Sequence, residues 1–201
     1  MVDPTKITDF CRSDKDLQEF FCFTVAVAGK TASVISVKID QFFKLDRSDI
    51  TPFEKIRKMA RTHSLGMNLR HVKLGKYALL TDCYKQVVNS GIDLRTCSIE
   101  DLEKFPGVGP KTSRFFLLHS RPNQDIACLD THVLSYLQEL GHSVPKSPPS
   151  GKKYAELEQI FLSHAKDLGR NPAELDLSIW NQRSKRSGNP DLKRSVNTAD
   201  I

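Results

Sequence analysis

The chain has 201 residues, of which 39% are hydrophobic, and this is enough to bury the core of one domain or of two closely packed lobes. Its formal net charge of +6 favours a polyanionic partner such as nucleic acid, because cationic surface gains affinity by releasing condensed counterions. Five scattered cysteines give neither a disulfide framework nor paired zinc-ligand spacing, and no apolar run reaches the length of a bilayer span. We therefore expect an intracellular protein, in the cytoplasm and nucleoid or in the nucleus, with no membrane partner.

The first part of the chain has helical periodicity. Apolar residues recur at helical spacing over 17–28 and again over 32–43, and Gly29 separates the two stripes. The runs 25–27 and 34–37 are β-compatible by composition, but they lie inside stripes that keep a 3.6-residue rhythm. We therefore predict helices here and an all-α fold.

Further helix signals follow along the chain. The segments 51–54 and 171–174 each combine an N-cap residue, a first-turn proline and a closing glutamate. The apolar pattern predicts one long amphipathic segment over 69–88 and another over 154–168, each followed by a glycine that can end a helix. Three prolines predict a loop over 141–151, because proline resists helix continuation.

A compact turn motif lies in the middle of the chain. The segment 98–101 has the pattern of a capping box, which predicts the start of a short helix. Gly107 and Gly109, separated by Val108, allow a tight turn and a close approach to a ligand, and Pro110 suits the first turn of the next helix. The pattern predicts a helix, a hairpin and a second helix, with backbone N–H groups of 107–109 offered to phosphate.

Two side chains near this motif can support chemistry on a sugar. Lys111 follows the hairpin directly, and Asp130 precedes the helical run 131–133 nineteen residues later. A neutral primary amine can attack a sugar carbon and form an iminium, while a fixed carboxylate stabilises positive charge as a base leaves. Alone, Lys111 is ordinarily an exposed lysine and Asp130 ordinarily an N-cap, so their joint occurrence carries the hypothesis.

The segments 105–112 and 129–133 together resemble the signature of the helix-hairpin-helix DNA glycosylases, the superfamily of endonuclease III and the 8-oxoguanine DNA glycosylases. The resemblance implies that Lys111 is the catalytic lysine of a bifunctional member and Asp130 the shared aspartate. It also implies that hairpin carbonyls can hold a monovalent cation. No cysteine follows Cys128, so the four-cysteine iron-sulfur loop of many endonuclease III relatives is excluded. We expect no required cofactor and no catalytic metal.

The same resemblance implies a domain organisation. We expect residues 1–182 to form a two-lobed helical glycosylase domain with the active-site cleft between the lobes. Residues 30–135 would form the middle lobe, and residues 1–29 would join 136–182 in the second. From 183 to 201 the sequence is basic and without periodicity, and we expect a mobile tail.

The resemblance implies a DNA repair glycosylase with lyase activity, acting as a monomer on double-stranded DNA that contains a damaged base, with 8-oxoguanine favoured. Two alternatives remain open: a monofunctional glycosylase for another modified base, and a noncatalytic DNA-binding module. Gly107, Val108 and Gly109 are the first candidates for DNA contact, and Lys30 is another. Around Lys30 the chain departs from the glutamine-containing turn of many endonuclease III relatives, which leaves a gap-filling role for this turn in doubt.

Overall fold

The computed structural model describes residues 1–188. Within this range the chain is helical and has no β-strand, so the predicted all-α class is confirmed. A 3-10 turn at Pro4–Lys6 precedes the α-helices. The helices are α1 (Asp14–Val27), α2 (Ala32–Lys44), α3 (Pro52–Arg61), α4 (Leu65–His71), α5 (Tyr77–Ser90), α6 (Ile99–Glu103), α7 (Pro110–Ser120), α8 (Thr131–Glu139), α9 (Gly151–Asp167) and α10 (Pro172–Gly188).

Side-chain caps fix where several helices begin. At α3 the Thr51 hydroxyl accepts the Glu54 N–H, and the Glu54 carboxylate accepts the Thr51 N–H, which completes a capping box. Ser98 and Asp101 form the same reciprocal pair at α6. The capping boxes predicted at 51–54 and 98–101 are therefore confirmed. At 171–174 the helix begins as predicted, with Asn171 Oδ1 accepting the Ala173 N–H at 2.8 Å.

The first compact unit is Met1–Gln124, and α1 packs on four of its other helices, α2, α3, α5 and α7. Phe21 of α1 is buried and meets the rings of Phe53, Phe105 and Phe116 edge-on at centroid distances of 5.6 to 6.4 Å. Aromatic pairs of this kind stabilise a fold by more than their buried apolar area alone would. An aromatic cluster around α1 thus holds the hairpin and α7 in this unit.

The second compact unit begins at Asp125. Its core combines the residues just before α8 with apolar side chains of α8, α9 and α10. Leu129, Leu137, Leu157 and Phe161 are fully buried in it. These contacts position the segment that ends in Asp130.

Three observed bounds differ from the sequence-based expectations. The first unit contains α1, although residues 1–29 were expected to join 136–182. The segment 69–88 is not one helix, because positive φ at Lys73, Gly75 and Lys76 breaks it between α4 and α5. Residues 183–188 continue α10, while 189–201 of the expected tail lie outside the described residues.

Candidate active site and DNA-binding hairpin

The hairpin between α6 and α7 uses its two glycines differently. Gly107 has φ +81, and a Cβ built there would lie 2.7 Å from Leu79 Cδ2. Gly109 has φ −105 and is the N-cap of α7, and a Cβ there would meet nothing within 4 Å. Gly107 is therefore required by the fold, whereas Gly109 leaves open space beside the backbone.

Val108, the third predicted contact residue, faces inward. The residue is 5% exposed, and its N–H donates to the Phe105 carbonyl at 3.1 Å. The side chain and the N–H of Val108 are therefore not available to DNA, and only its backbone carbonyl remains. Within residues 1–188 the N–H groups of Gly107 and Gly109 have no such acceptor, so these are the hairpin donors available to a phosphate.

Lys111 lies in the first turn of α7. The N–H groups of Thr112 and Ser113 donate to the Gly109 carbonyl, and the buried Ser113 hydroxyl donates to Glu103 of α6 at 2.8 Å. These bonds join the two helices of the motif. They fix the backbone from which the lysine side chain extends.

The Lys111 side chain is half-buried and lies along its own helix. Its Nζ is 4.4 Å from the ring centroid of Phe115, one turn further on. The Phe115 ring in turn contacts Phe20 and His119, with centroid distances of 6.0 and 5.2 Å. The face of an aromatic ring attracts a cation, so this packing places the lysine nitrogen beside the Phe115 ring.

Asp130 is half-buried and caps α8. Its Oδ1 accepts the N–H groups of His132 at 2.8 Å and Val133 at 2.9 Å. Charge-assisted bonds of this kind fix the orientation of the carboxylate. Oδ2 takes no part in the cap, so the capping role and a chemical role are compatible in one side chain.

A buried polar network holds the segment before Asp130. The Tyr154 hydroxyl donates to the Ala127 carbonyl at 2.7 Å and accepts the Leu129 N–H at 3.2 Å. Glu158, one turn along α9, accepts the Ala127 N–H at 2.9 Å. Neither Tyr154 nor Glu158 was predicted to bind this segment. Their spacing indicates that the two side chains share a face of α9. The segment that they bind is distant in sequence, so the local pattern does not indicate the contact.

Lys30 does not extend freely into solvent. Its Nζ donates to the Leu74 carbonyl, in the loop between α4 and α5. Burial and the nearby Lys76 and Lys38 ammonium groups lower the Lys30 pKa. DNA contact by Lys30 stays a prediction.

Lys111 belongs to the first unit and Asp130 to the second. Across residues 1–188, no group of three or more His, Cys, Asp or Glu side chains is arranged to hold a metal ion. In the same part of the chain, no helix is both long and apolar enough to cross a bilayer.

Comparison with known proteins gives a consistent result, although no family model matches the chain. It is 27% identical over 183 residues to the 8-oxoguanine DNA glycosylase/AP lyase of Methanocaldococcus jannaschii, covering 85% of this chain and 83% of that protein. It is 26% identical over 141 residues to the corresponding Picrophilus torridus enzyme, covering 70% of this chain but only 64% of the relative.

Solved structures share the fold. The Methanocaldococcus jannaschii glycosylase/lyase, solved with a 15mer DNA containing 8-oxoguanine, superposes with a TM-score of 0.64 at 22% identity. The match covers 90% of this chain and 87% of that one. Taken with the two sequence relatives, this match shows that the chain is similar to 8-oxoguanine DNA glycosylases in sequence and shares their helical fold.

Proposed function

We propose that this protein is a bifunctional DNA glycosylase and abasic-site lyase that removes 8-oxoguanine from duplex DNA. One observation carries the proposal: a lysine in the first turn after the hairpin and an aspartate that caps α8 occur in a chain similar along 85% of its length to an 8-oxoguanine DNA glycosylase/AP lyase. Lys111 is the proposed nucleophile, and Asp130 is the proposed electrostatic and proton-accepting group.

In the first step the nucleotide is turned out of the stack, which gives side chains access to its sugar. Positive charge then develops at C1′ as the bond to the base breaks, and the Asp130 carboxylate stabilises that charge more in the transition state than in the ground state. The neutral Lys111 amine forms a bond to C1′. The electron pair of the broken bond leaves with the base, which takes up a proton.

The lyase step follows from the covalent intermediate. The C1′–O4′ bond breaks and opens the sugar ring, O4′ takes up a proton, and the nitrogen lone pair completes the C1′=Nζ double bond. The resulting iminium acidifies the C2′ proton. Loss of that proton and cleavage of the C3′–O bond release the 3′ phosphate by elimination, and water then frees the lysine. The proton lost by the attacking amine passes to Asp130. Apart from water and the DNA itself, every group in this scheme is a protein side chain, so the proposal requires no cofactor.

The hairpin is the proposed anchor for the duplex. The Gly107 and Gly109 N–H groups bind one backbone phosphate, and the open space beside Gly109 lets the DNA strand approach closely. Hairpin carbonyls are the proposed ligands for a monovalent cation. We further propose that the protein acts as a monomer inside the cell, in the compartment that holds the DNA.

A panel of duplexes carrying single lesions tests the proposal, with free base and strand nicking assayed separately. Release of 8-oxoguanine together with nicking is expected, and the opposite base should be varied in the same panel. Release without nicking would select a monofunctional glycosylase in which Asp130 activates water. Duplex binding with no base released from any lesion would select a noncatalytic DNA-binding module.

A further inference from the structure

Three lysines of the first unit converge where two connecting segments meet. Lys30, in the turn after α1, donates to the Leu74 carbonyl in the loop between α4 and α5. Lys76, in that loop, donates to the carbonyl of Ala28, in the turn after α1, at 2.6 Å. The two bonds are reciprocal, since each segment supplies a lysine to the other. Together with Lys38, these residues form what we call the lysine staple.

Lys38 reaches the same loop from α2. Its Nζ donates to the Lys73 carbonyl at 2.7 Å. A Cβ built on Gly75 would lie 3.0 Å from Lys30 Nζ, so the Lys30 ammonium group rests directly against the loop backbone. Lys30 and Lys38 therefore bind the loop between α4 and α5 from two separate parts of the sequence, and Lys76 of that loop binds back to the turn after α1.

The staple concentrates positive charge without an internal counter-ion. Within residues 1–188, Lys30, Lys38 and Lys76 bind backbone carbonyls and form no ion pair with a carboxylate. Burial and the charges of its two neighbours depress the Lys30 pKa, as expected for like charges held together. Each ammonium group has three donors and gives one to a carbonyl, so two per lysine remain for an anion.

The staple and the hairpin lie at the same end of α5. Lys76 precedes the first residue of this helix, and Leu79 is one turn along it. Leu79 is the side chain that a Cβ on Gly107 would strike. A DNA backbone bound at the hairpin is thus a neighbour of the staple.

We propose that the lysine staple is a second phosphate-binding site, which holds a backbone phosphate of duplex DNA through Lys30, Lys38 and Lys76. The proposal rests on the proposed function in taking duplex DNA as the ligand. It assigns to these lysines a contact that is independent of base excision. Because the carbonyl bonds already hold the ammonium groups in place, little side-chain ordering remains when the phosphate binds.

Affinity for an undamaged duplex at several NaCl concentrations tests the proposal, by fluorescence anisotropy. In the triple variant Lys30→Gln, Lys38→Gln, Lys76→Gln, the slope of log affinity against log salt should fall in magnitude by about 0.9, the value for one phosphate contact. The same slope predicts a roughly eightfold weaker Kd at 0.1 M salt. Replacing all three lysines by arginine should keep the wild-type slope.

Lys44→Gln is the matched control. Lys44 also lies on α2, but it is paired with Asp40 at 2.7 Å, and its replacement should leave the slope unchanged. A wild-type slope in the glutamine variant, with a lower melting temperature, would show that the staple only holds the loops and would overturn the proposal. An equal loss of slope in Lys44→Gln would overturn it as well.

The outcome is separable from that of the proposed function. If the wild type releases no base from any lesion but the staple variants lose the salt slope, the glycosylase assignment fails and the phosphate site stands. If base release is observed and the slope is insensitive to all three lysines, the phosphate site fails and the enzyme assignment stands.

Discussion

Replacing each hairpin glycine by alanine separates a requirement of folding from a requirement of binding. At Gly107 the new Cβ meets Leu79 Cδ2 at 2.7 Å, and φ is +81. The left-handed backbone costs an L-residue about 1–2 kcal/mol, and a forced change of the Leu79 rotamer adds about 0.5–1.5 kcal/mol. We therefore expect Gly107→Ala to lower the free energy of unfolding by about 1.5–3.5 kcal/mol.

Gly109→Ala should behave in the opposite way. Its φ of −105 is accessible to alanine, and the new Cβ meets no atom within 4 Å. The free energy of unfolding should change by less than about 1 kcal/mol, since removing a glycine also restricts the unfolded chain. Duplex affinity should nevertheless fall by about tenfold, because a methyl group occupies the space in which a phosphate approaches the backbone and a charge-assisted hydrogen bond contributes about 1.5 kcal/mol.

Urea unfolding and duplex binding, measured on both variants, check these expectations. Adding Leu79→Ala to Gly107→Ala should relieve the contact with Leu79 but not the cost of positive φ, so part of the stability loss attributed to Gly107→Ala should return. The reasoning is refuted if Gly109→Ala proves the more destabilising of the two, or if it binds duplex as tightly as the wild type.

Three further changes probe the site and its supports. Tyr154→Phe leaves two buried backbone groups without their partner, so the free energy of unfolding should fall by about 2–3 kcal/mol in urea titration. Phe115→Leu removes the ring against which the Lys111 nitrogen packs, a contact worth about 0.5–1 kcal/mol, so the amine is less well positioned and the rate of borohydride trapping should fall about twofold to fivefold. The hydrogen bond from Lys104 lowers the Asp101 pKa from 3.8 to about 2, so Asp101 should stabilise the fold above pH 4 and lose that effect as the pH falls toward 2.

Each of these expectations has a contrary result. Wild-type stability in Tyr154→Phe would mean that the segment before Asp130 does not depend on the hydroxyl. Trapping at the wild-type rate or faster in Phe115→Leu, with Phe115→Tyr as the aromatic control, would mean that the ring does not position the lysine for attack. For Asp101, thermal unfolding of wild type and Asp101→Asn should differ at pH 5 and converge near pH 2, and a difference that persists at pH 2 would contradict the linkage.

Local signals in the sequence predicted much of the fold. The capping box at Ser98 and the helix start at Pro172 depend on residues within one turn of each other, and both are confirmed. Gly91 ends α5 with φ +72, as expected of a glycine at that place. The β-compatible residues of α1 and α2 are helical because their apolar face has the helical period.

What the sequence did not predict depends on contacts between distant residues. The break between α4 and α5 places Lys73 and Lys76, two non-glycine residues, at positive φ, and only Gly75 between them signals it. Tyr154 of α9 looks like an ordinary apolar position until the segment before Asp130 is seen to bind its hydroxyl. Lys30 resembles an exposed loop lysine until its partner in the loop 72–76 is known.

Borohydride trapping on a duplex containing 8-oxoguanine tests the central claim most directly. We expect the wild type to form a covalent protein–DNA adduct whose modified peptide contains Lys111, and Lys111→Gln to form none. Lys104→Gln is the matched control, since Lys104 lies in the same motif but pairs with Asp101 at 2.8 Å, and its adduct should match that of the wild type. An adduct of undiminished yield in Lys111→Gln, or a modified peptide that lacks Lys111, would contradict the account.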